Sequence, residues 1–404
     1  VKTADLAGRL PGIFGKLSRN CTPASGTWSI FSPEVTLQSQ PIKVADIYDF
    51  VGKAADKEDL HFLGISDLDL VTDSVRYRAW LNEKRHASMA WMERNIDIRE
   101  KPDLLLQKAT SAFTFGFPYY LGDRWHRPLS EQKPFIAQYA RLKDYHSFLR
   151  QKVSRVQKQI ENTFSSDAMW RVTVDSAPVL ERALAFKSGG GFIGKNTCFI
   201  HPARGSFYLL AELFTTLPIA HDRKSSRTSE HSERTVQGGC GTCRRCQVHC
   251  PTGALDQDYR IDARKCISYW TIEHRGVIPV NYWRWVGHYI FGCDICQLVC
   301  PYNRDLAVSD EARKLTRIQS TPDLISMVQM DQQFYEKNFG GTPMTRAKIS
   351  GLRRNALIAG VVKNDPRIFA HLKTLANDPD AVMVDTAKQV PDYLKFAQNM
   401  QTSL

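Results

Sequence analysis

The run Cys240-Gly-Thr-Cys243-Arg-Arg-Cys246-Gln-Val-His-Cys250-Pro251 constrains this chain more than any other feature. Three thiolates so close in sequence can wrap three corners of one compact iron–sulfur cubane, and the proline turns the chain away after the fourth. A structural zinc site usually pairs two short Cys-x-x-Cys knuckles instead, so the spacing favours iron–sulfur chemistry over zinc. A second run, Cys293-Asp-Ile-Cys296-Gln-Leu-Val-Cys300-Pro301, is one cysteine short, and Cys266 is the remaining cysteine between the two. When two such runs exchange their fourth cysteines, one [4Fe–4S] cluster takes Cys240, Cys243, Cys246 and Cys300. The other takes Cys250, Cys266, Cys293 and Cys296. Cys198 and Cys21 stand apart and are read as a buried small side chain and an exposed thiol.

The chain has 404 residues, 43% hydrophobic and 24% charged, which suits two or three domains and excludes overall disorder. Nowhere do 18 consecutive apolar residues occur, so no membrane helix is expected. Cys-x-x-Cys pairs without an apolar signal segment suit a reducing compartment, and the expectation is a cytoplasmic protein, read as a monomer. Lys and Arg number 54 against 42 Asp and Glu, a formal charge of +12, which biases the chain toward a polyanionic partner.

Residues 1–41 are basic and rich in Gly, Ser, Thr and Pro, and read as a flexible extension or a targeting remnant. From 42 to about 225 helical and extended patterns alternate. Helices are expected at 42–54, 77–84, 145–162 and 179–186, and strands at 62–65, 112–117, 171–174, 198–200 and 207–214. This predicts an α/β (α+β layered) domain. A polar linker at 222–239 leads into a two-cluster, ferredoxin-like module spanning 226–311. Residues 312–404 read as helix pairs of HEAT-like repeat type.

A bare two-cluster module needs far fewer residues, so the front domain must hold a redox cofactor or a substrate. Its motifs are Val174-Asp-Ser-Ala-Pro-Val-Leu-Glu-Arg182, Gly191-Phe-Ile-Gly-Lys-Asn-Thr197, Trp91-Met-Glu-Arg94 and Asp144-Tyr-His146. Together with Asp262-Ala-Arg-Lys-Cys-Ile-Ser-Tyr269, Gly341-Thr-Pro-Met-Thr345, Leu352-Arg-Arg-Asn-Ala356 and the second cysteine run, they resemble the epoxyqueuosine reductases, relatives of the reductive dehalogenases. Phe192, where that family usually has Trp, and Asp294-Ile295, where it has a pair of acids, depart from the pattern. The resemblance implies cobalamin in the front domain, two [4Fe–4S] clusters behind it, and reduction of the epoxide of epoxyqueuosine at the tRNA wobble position to queuosine. It implies that Asp175 donates a proton, and that Arg94, Asp144, His146, Lys195, Asn196 and Ser268 lie around the corrin or the substrate. An external low-potential donor of flavodoxin or ferredoxin type is expected.

Asp175 follows an apolar strand and precedes a proline, a position where burial can raise a carboxyl pKa enough to keep its proton at neutral pH. The ordinary alternative is a cap on a helix starting at Ala177 or Pro178. For tRNA, two basic stretches are candidate phosphate tracks: 141–160, and 346–363 with Arg346, Lys348, Arg353 and Arg354. The aromatics Trp270, Tyr282, Trp283 and Trp285 could stack a base or pack the module. Two rival readings are a reductive dehalogenase-like enzyme, which would normally carry a twin-arginine signal, and an electron carrier with no substrate of its own.

Overall fold

The computed structural model describes residues 42–124, 133–165, 167–220, 239–319 and 321–401. The extension 1–41, the linker at 221–238 and Cys21 lie outside them. Helix α1 (Val44–Asp56) leads into strand β1 (His61–Asp67), followed by β2 (Ser111–Pro118), helix α2 (Tyr145–Phe164), β3 (Trp170–Thr173), helix α3 (Glu181–Lys187) and β4 (Tyr208–Thr215). The four strands form one sheet in the order β1-β2-β4-β3. Every pairing in it is antiparallel, so alternation of helix and strand did not produce the parallel crossovers it suggests.

The period-two pattern of β2 explains the layering. Phe113, Phe115 and Phe117 point to one face and are fully buried beneath α1 and α2. Ala112 points to the other, where it packs with Phe214 and with Ala183 and Leu184 of α3. Helix α2 earns its place through Leu149, Val153, Val156 and Ile160, an apolar stripe at helical spacing. Burying each such side chain contributes roughly 1.5–3 kcal/mol. At the other face Gly64, with φ +129°, lets α3 approach: a Cβ there would sit 2.2 Å from the Ser188 carbonyl oxygen.

One core runs from Ala263 to Tyr393 across the expected boundary at 311, while the front core lies almost wholly before 220. Phe135–Ile136 from the front region pairs in parallel with Tyr289–Phe291, and Ile136 and Ala140 share one core with Trp283, Phe291, Leu352, Ala356 and Ile368. The described residues form a single compact unit. The C-terminal part is helical, and its longest helix, α6 (Lys348–Val362), is buried on nearly every side. Two short helices carry cysteines: α4 (Arg245–His249) and α5 (Ile295–Leu298). Among the described residues no helix is long and apolar enough to cross a membrane.

Candidate active site and cluster-binding residues

Asp175 closes the β3 segment in a left-handed backbone conformation, φ +48°, which Asp tolerates better than most residues. It does not cap a helix, because α3 begins only at Glu181. Its carboxylate meets two side chains from the start of α2: the Tyr145 hydroxyl donates to Oδ2 at 2.5 Å, and His146 Nε2 lies 3.2 Å from the same atom. On its other side, His146 Nδ1 lies 2.7 Å from Asp144 Oδ1. Asp144 caps α2 by accepting from the His146 backbone N–H, so the cap that starts the helix also fixes the imidazole. Both ring nitrogens of His146 are therefore engaged with carboxylates.

These bonds reverse one expectation. Desolvation pushes the Asp175 carboxyl upward, but the bonds from His146 and Tyr145 outweigh it and hold Asp175 below the ordinary carboxylate range. The hydrogen bond to Asp175, with help from Asp144, raises His146 against desolvation. The proton of this group therefore rests on the imidazole rather than on Asp175.

Asp175 and Tyr145 open onto a cleft walled by Phe199, Leu209 and Leu210, with Gln297 of α5 on its lining. Glu181 lines the same cleft, and desolvation followed by the charge of Asp175 pushes its carboxyl up to about 7. Beneath it Glu212 of β4 is completely buried and accepts from Thr173 Oγ1 at 2.9 Å. Desolvation holds Glu212 far above the ordinary range. Neither acid was picked out in the sequence as a site residue, although a lone Glu inside the apolar strand Tyr208–Thr215 is a signal of that kind.

The eight clustered thiols sort into two groups. Desolvation raises Cys246, and Cys240, Cys300 and Cys243 raise it further. Desolvation likewise raises Cys293, with Cys266 and Cys250 adding to it. A hydrogen bond to Cys198 leads the causes that raise Cys296, followed by desolvation and the neighbouring Cys293 and Cys266. Buried thiols that oppose one another's ionisation form a donor set that cationic iron would relieve, and backbone N–H groups of Ser268 and Tyr269 already point at the Cys266 sulfur. Among the described residues no three His, Cys, Asp or Glu side chains surround one ion position. A cubane does not require that, since each thiolate binds its own iron.

Three of the expected cofactor contacts are engaged with the cysteine loops. The buried Lys195 pairs with Asp258 at 3.1 Å, and its backbone N–H donates to Cys240 Sγ at 3.4 Å. Asn196 donates to the Cys296 carbonyl at 3.2 Å. Both, like Ser268, hold the cysteine loops. Cys198 is not a buried filler: it lines the cleft, and its thiol donates to the Asn196 carbonyl at 3.8 Å. Arg94 is exposed.

Of the four expected tRNA contacts, Arg346 and Lys348 are exposed. Arg346 pairs with Glu273 at 2.9 Å, and its guanidinium lies over the Trp91 ring. Arg353 is instead bound to Asp378 at 2.5 Å and to the Val328 carbonyl. Arg354 is 1% exposed and donates to the carbonyls of Trp270, His274 and Gly276. Neither faces a phosphate. In the first basic stretch, Lys152 and Arg155 pair with Asp59 and Glu58. Trp283 is fully buried, and Trp270 packs on Tyr282, so these two rings fill the core.

Eight clustered cysteines beside a cleft lined by the hydrogen-bonded Asp175 and by Glu181 define an oxidoreductase of the two-cluster iron–sulfur class. Residues 239–303 match the family model for a 4Fe-4S double cluster binding domain, and residues 99–176 match that of epoxyqueuosine reductase QueG, DUF1730. The epoxyqueuosine reductase of Xanthomonas campestris pv. campestris is 33% identical over 328 residues, covering 79% of this chain and 88% of that protein. That of Cyclobacterium marinum is 35% identical over 306 residues, covering 76% and 94%. The chain belongs to the epoxyqueuosine reductase family. Among solved structures, the Streptococcus thermophilus epoxyqueuosine reductase is 28% identical with a TM-score of 0.69, covering 85% of this chain and 89% of that one. An epoxyqueuosine reductase solved with a tRNA-Tyr epoxyqueuosine-modified stem loop is 26% identical with a TM-score of 0.71, covering 86% and 90%.

The ligand assignment has a direct test. Cys266→Ala is expected to lose or convert one cluster and keep the other, out of about eight iron atoms per chain. Full iron and sulfide in the variant would move the fourth ligand away from Cys266.

Proposed function

We propose that this chain reduces the epoxide of epoxyqueuosine at the wobble position of tRNA to the alkene of queuosine. Two electrons and two protons are consumed, and the epoxide oxygen leaves as water. The observation that carries this reading is the Asp144–His146–Asp175–Tyr145 network opening on a cleft whose lining includes Gln297, next to Cys296. Protons and electrons can thus be delivered to one place. The family relative solved with modified tRNA supports the substrate.

The two cysteine quartets hold one [4Fe–4S] cluster each. Cobalamin would lie over the mouth of this cleft, with the apolar side chains of Phe199, Leu209 and Leu210 facing its ring and the Cys296 loop beside it. When bound there, cobalamin supplies a two-electron reductant for the C–O bond. The chain's own residues handle the protons: the Asp175 carboxylate takes a proton from His146, whose imidazolium Asp144 stabilises, and passes it to the departing oxygen. Tyr145 fixes the carboxylate rotamer. Arg346 and Lys348 track phosphates, and the C-terminal helices, read as HEAT-like, support them. The enzyme acts as a cytoplasmic monomer, and its clusters pass on electrons received from a flavodoxin- or ferredoxin-type carrier.

The pH profile tests the relay. His146 is raised above its ordinary value, so the loaded form persists below that raised pKa, and activity falls as pH rises through it. Asp144→Asn removes one of the groups that raise His146, and the basic limb of kcat/KM is expected to move to lower pH. A separate inflection from Glu181, about 7, should vanish in Glu181→Gln. A basic limb unmoved by Asp144→Asn contradicts the relay.

A further inference from the structure

We infer that an arginine-lined groove over Cys300 is the docking site of an acidic one-electron carrier protein. This rests on the reading that the Cys240, Cys243, Cys246 and Cys300 quartet holds a cluster. The groove is distinct from the catalytic cleft: Cys300 and Pro301 line the groove, whereas Gln297, next to Cys296, lines the cleft. The two openings take consecutive parts of one cysteine loop, Gln297 in the cleft and Leu298 to Pro301 in the groove.

The groove brings together Arg124, Arg245 and Arg304, all exposed. Its one acid, Asp123, is already paired with Arg141 at 2.9 Å, so the three guanidinium groups leave a positive field over the Cys300 ligand. Neither Arg124 nor Arg304 makes an ion pair with a described residue. Arg245 donates to the Val299 carbonyl, the residue before Cys300, which fixes its helix against that ligand loop. On the same helix Val248 is 75% exposed, with Arg244 just before the helix also exposed. A small apolar contact rimmed by cations suits a brief encounter, in which charge steers association and little area is buried. In the transfer itself, one electron leaves the reduced carrier and enters the oxidised cluster.

A polyanionic tRNA also answers to positive charge, but its modified base must reach Asp175. Nothing about an electron-accepting ligand loop serves a phosphate backbone, and Val248 offers an apolar surface that phosphates do not use. The carrier is therefore the occupant the groove favours.

The test uses the full chain, reconstituted anaerobically, with an acidic flavodoxin as probe. Binding of the oxidised flavodoxin is measured by titration calorimetry, and cluster reduction by the reduced flavodoxin is followed in a stopped-flow spectrometer. For Arg124→Glu/Arg304→Glu, affinity and second-order reduction rate at low salt are expected to fall about tenfold or more, and the salt dependence to shrink or invert. Reduction by dithionite and binding of tRNA should be unchanged. If charge reversal depletes iron, Arg124→Gln/Arg304→Gln is measured in its place, with a smaller loss and a shallower salt slope expected. Unchanged flavodoxin binding and reduction overturn the inference. So does a loss of tRNA affinity with flavodoxin binding intact, which would give the groove to the nucleic acid. Arginine-dependent electron uptake without epoxyqueuosine turnover would sink the proposed activity and leave the docking site standing.

Discussion

Asp175→Asn is expected to lose about 10²–10⁴-fold in epoxide reduction, the usual contribution of a positioned acid. Asn keeps the size of the side chain and can still accept from the Tyr145 hydroxyl, so the left-handed turn at this position and the walls of the cleft should remain. What disappears is the carboxylate that takes a proton from His146 and hands it on. The same change removes the leading cause that raises His146, so its titration should fall back toward the free-imidazole value of about 6.5. That second readout separates a chemical role from a merely structural one. Iron content and cobalamin uptake should match the parent protein. Normal turnover with a shifted His146 titration would move the proton donor to His146 or Tyr145.

Arg354→Ala is expected to destabilise the fold by about 3–5 kcal/mol, because it strands one buried and two part-buried carbonyls and leaves a cavity. The guanidinium reaches Gly276 at 2.6 Å, Trp270 at 2.7 Å and His274 at 3.0 Å, tying α6 to the segment that follows Cys266. Desolvation and the nearby Arg275 lower its pKa to about 9, yet it remains charged at neutral pH because these carbonyls solvate it. The loss should appear as a lower denaturation midpoint, together with weaker retention of the cluster bound through Cys266. A phosphate-binding arginine would behave otherwise: its loss would spare stability and flatten the salt dependence of tRNA binding. That second behaviour is expected of Arg346→Ala/Lys348→Ala, by about one to two units of slope.

The contrast between these arginines shows where a sequence stops informing. A run of Arg and Lys along 346–363 has the same composition whether its side chains meet phosphate, a carboxylate or a carbonyl. Only the packing of α6 against residues 270–276 turns Arg354 inward, and only the nearby Asp378 claims Arg353. Lys195 and Asn196 illustrate the same limit, since their motif marks a functional neighbourhood without saying that they serve the cysteine loops. The cysteine spacing was more legible, because the reach of a thiolate from a short loop is fixed by covalent geometry. Asp175 could be singled out, but the direction of its pKa could not: that depends on two residues from α2, far away in the chain. The antiparallel sheet was hidden for a related reason, as alternating patterns record which faces are buried and not which way neighbouring strands run.

The most direct test of the account is conversion of epoxyqueuosine-bearing tRNA by the anaerobically reconstituted protein, supplied with cobalamin and a low-potential reductant. Nucleosides from the digested tRNA are then identified by mass spectrometry. The account predicts that the epoxyqueuosine signal is replaced by queuosine, one oxygen lighter, in the parent protein and largely persists in Asp175→Asn. A parent protein carrying both clusters and cobalamin that leaves epoxyqueuosine unchanged would contradict it.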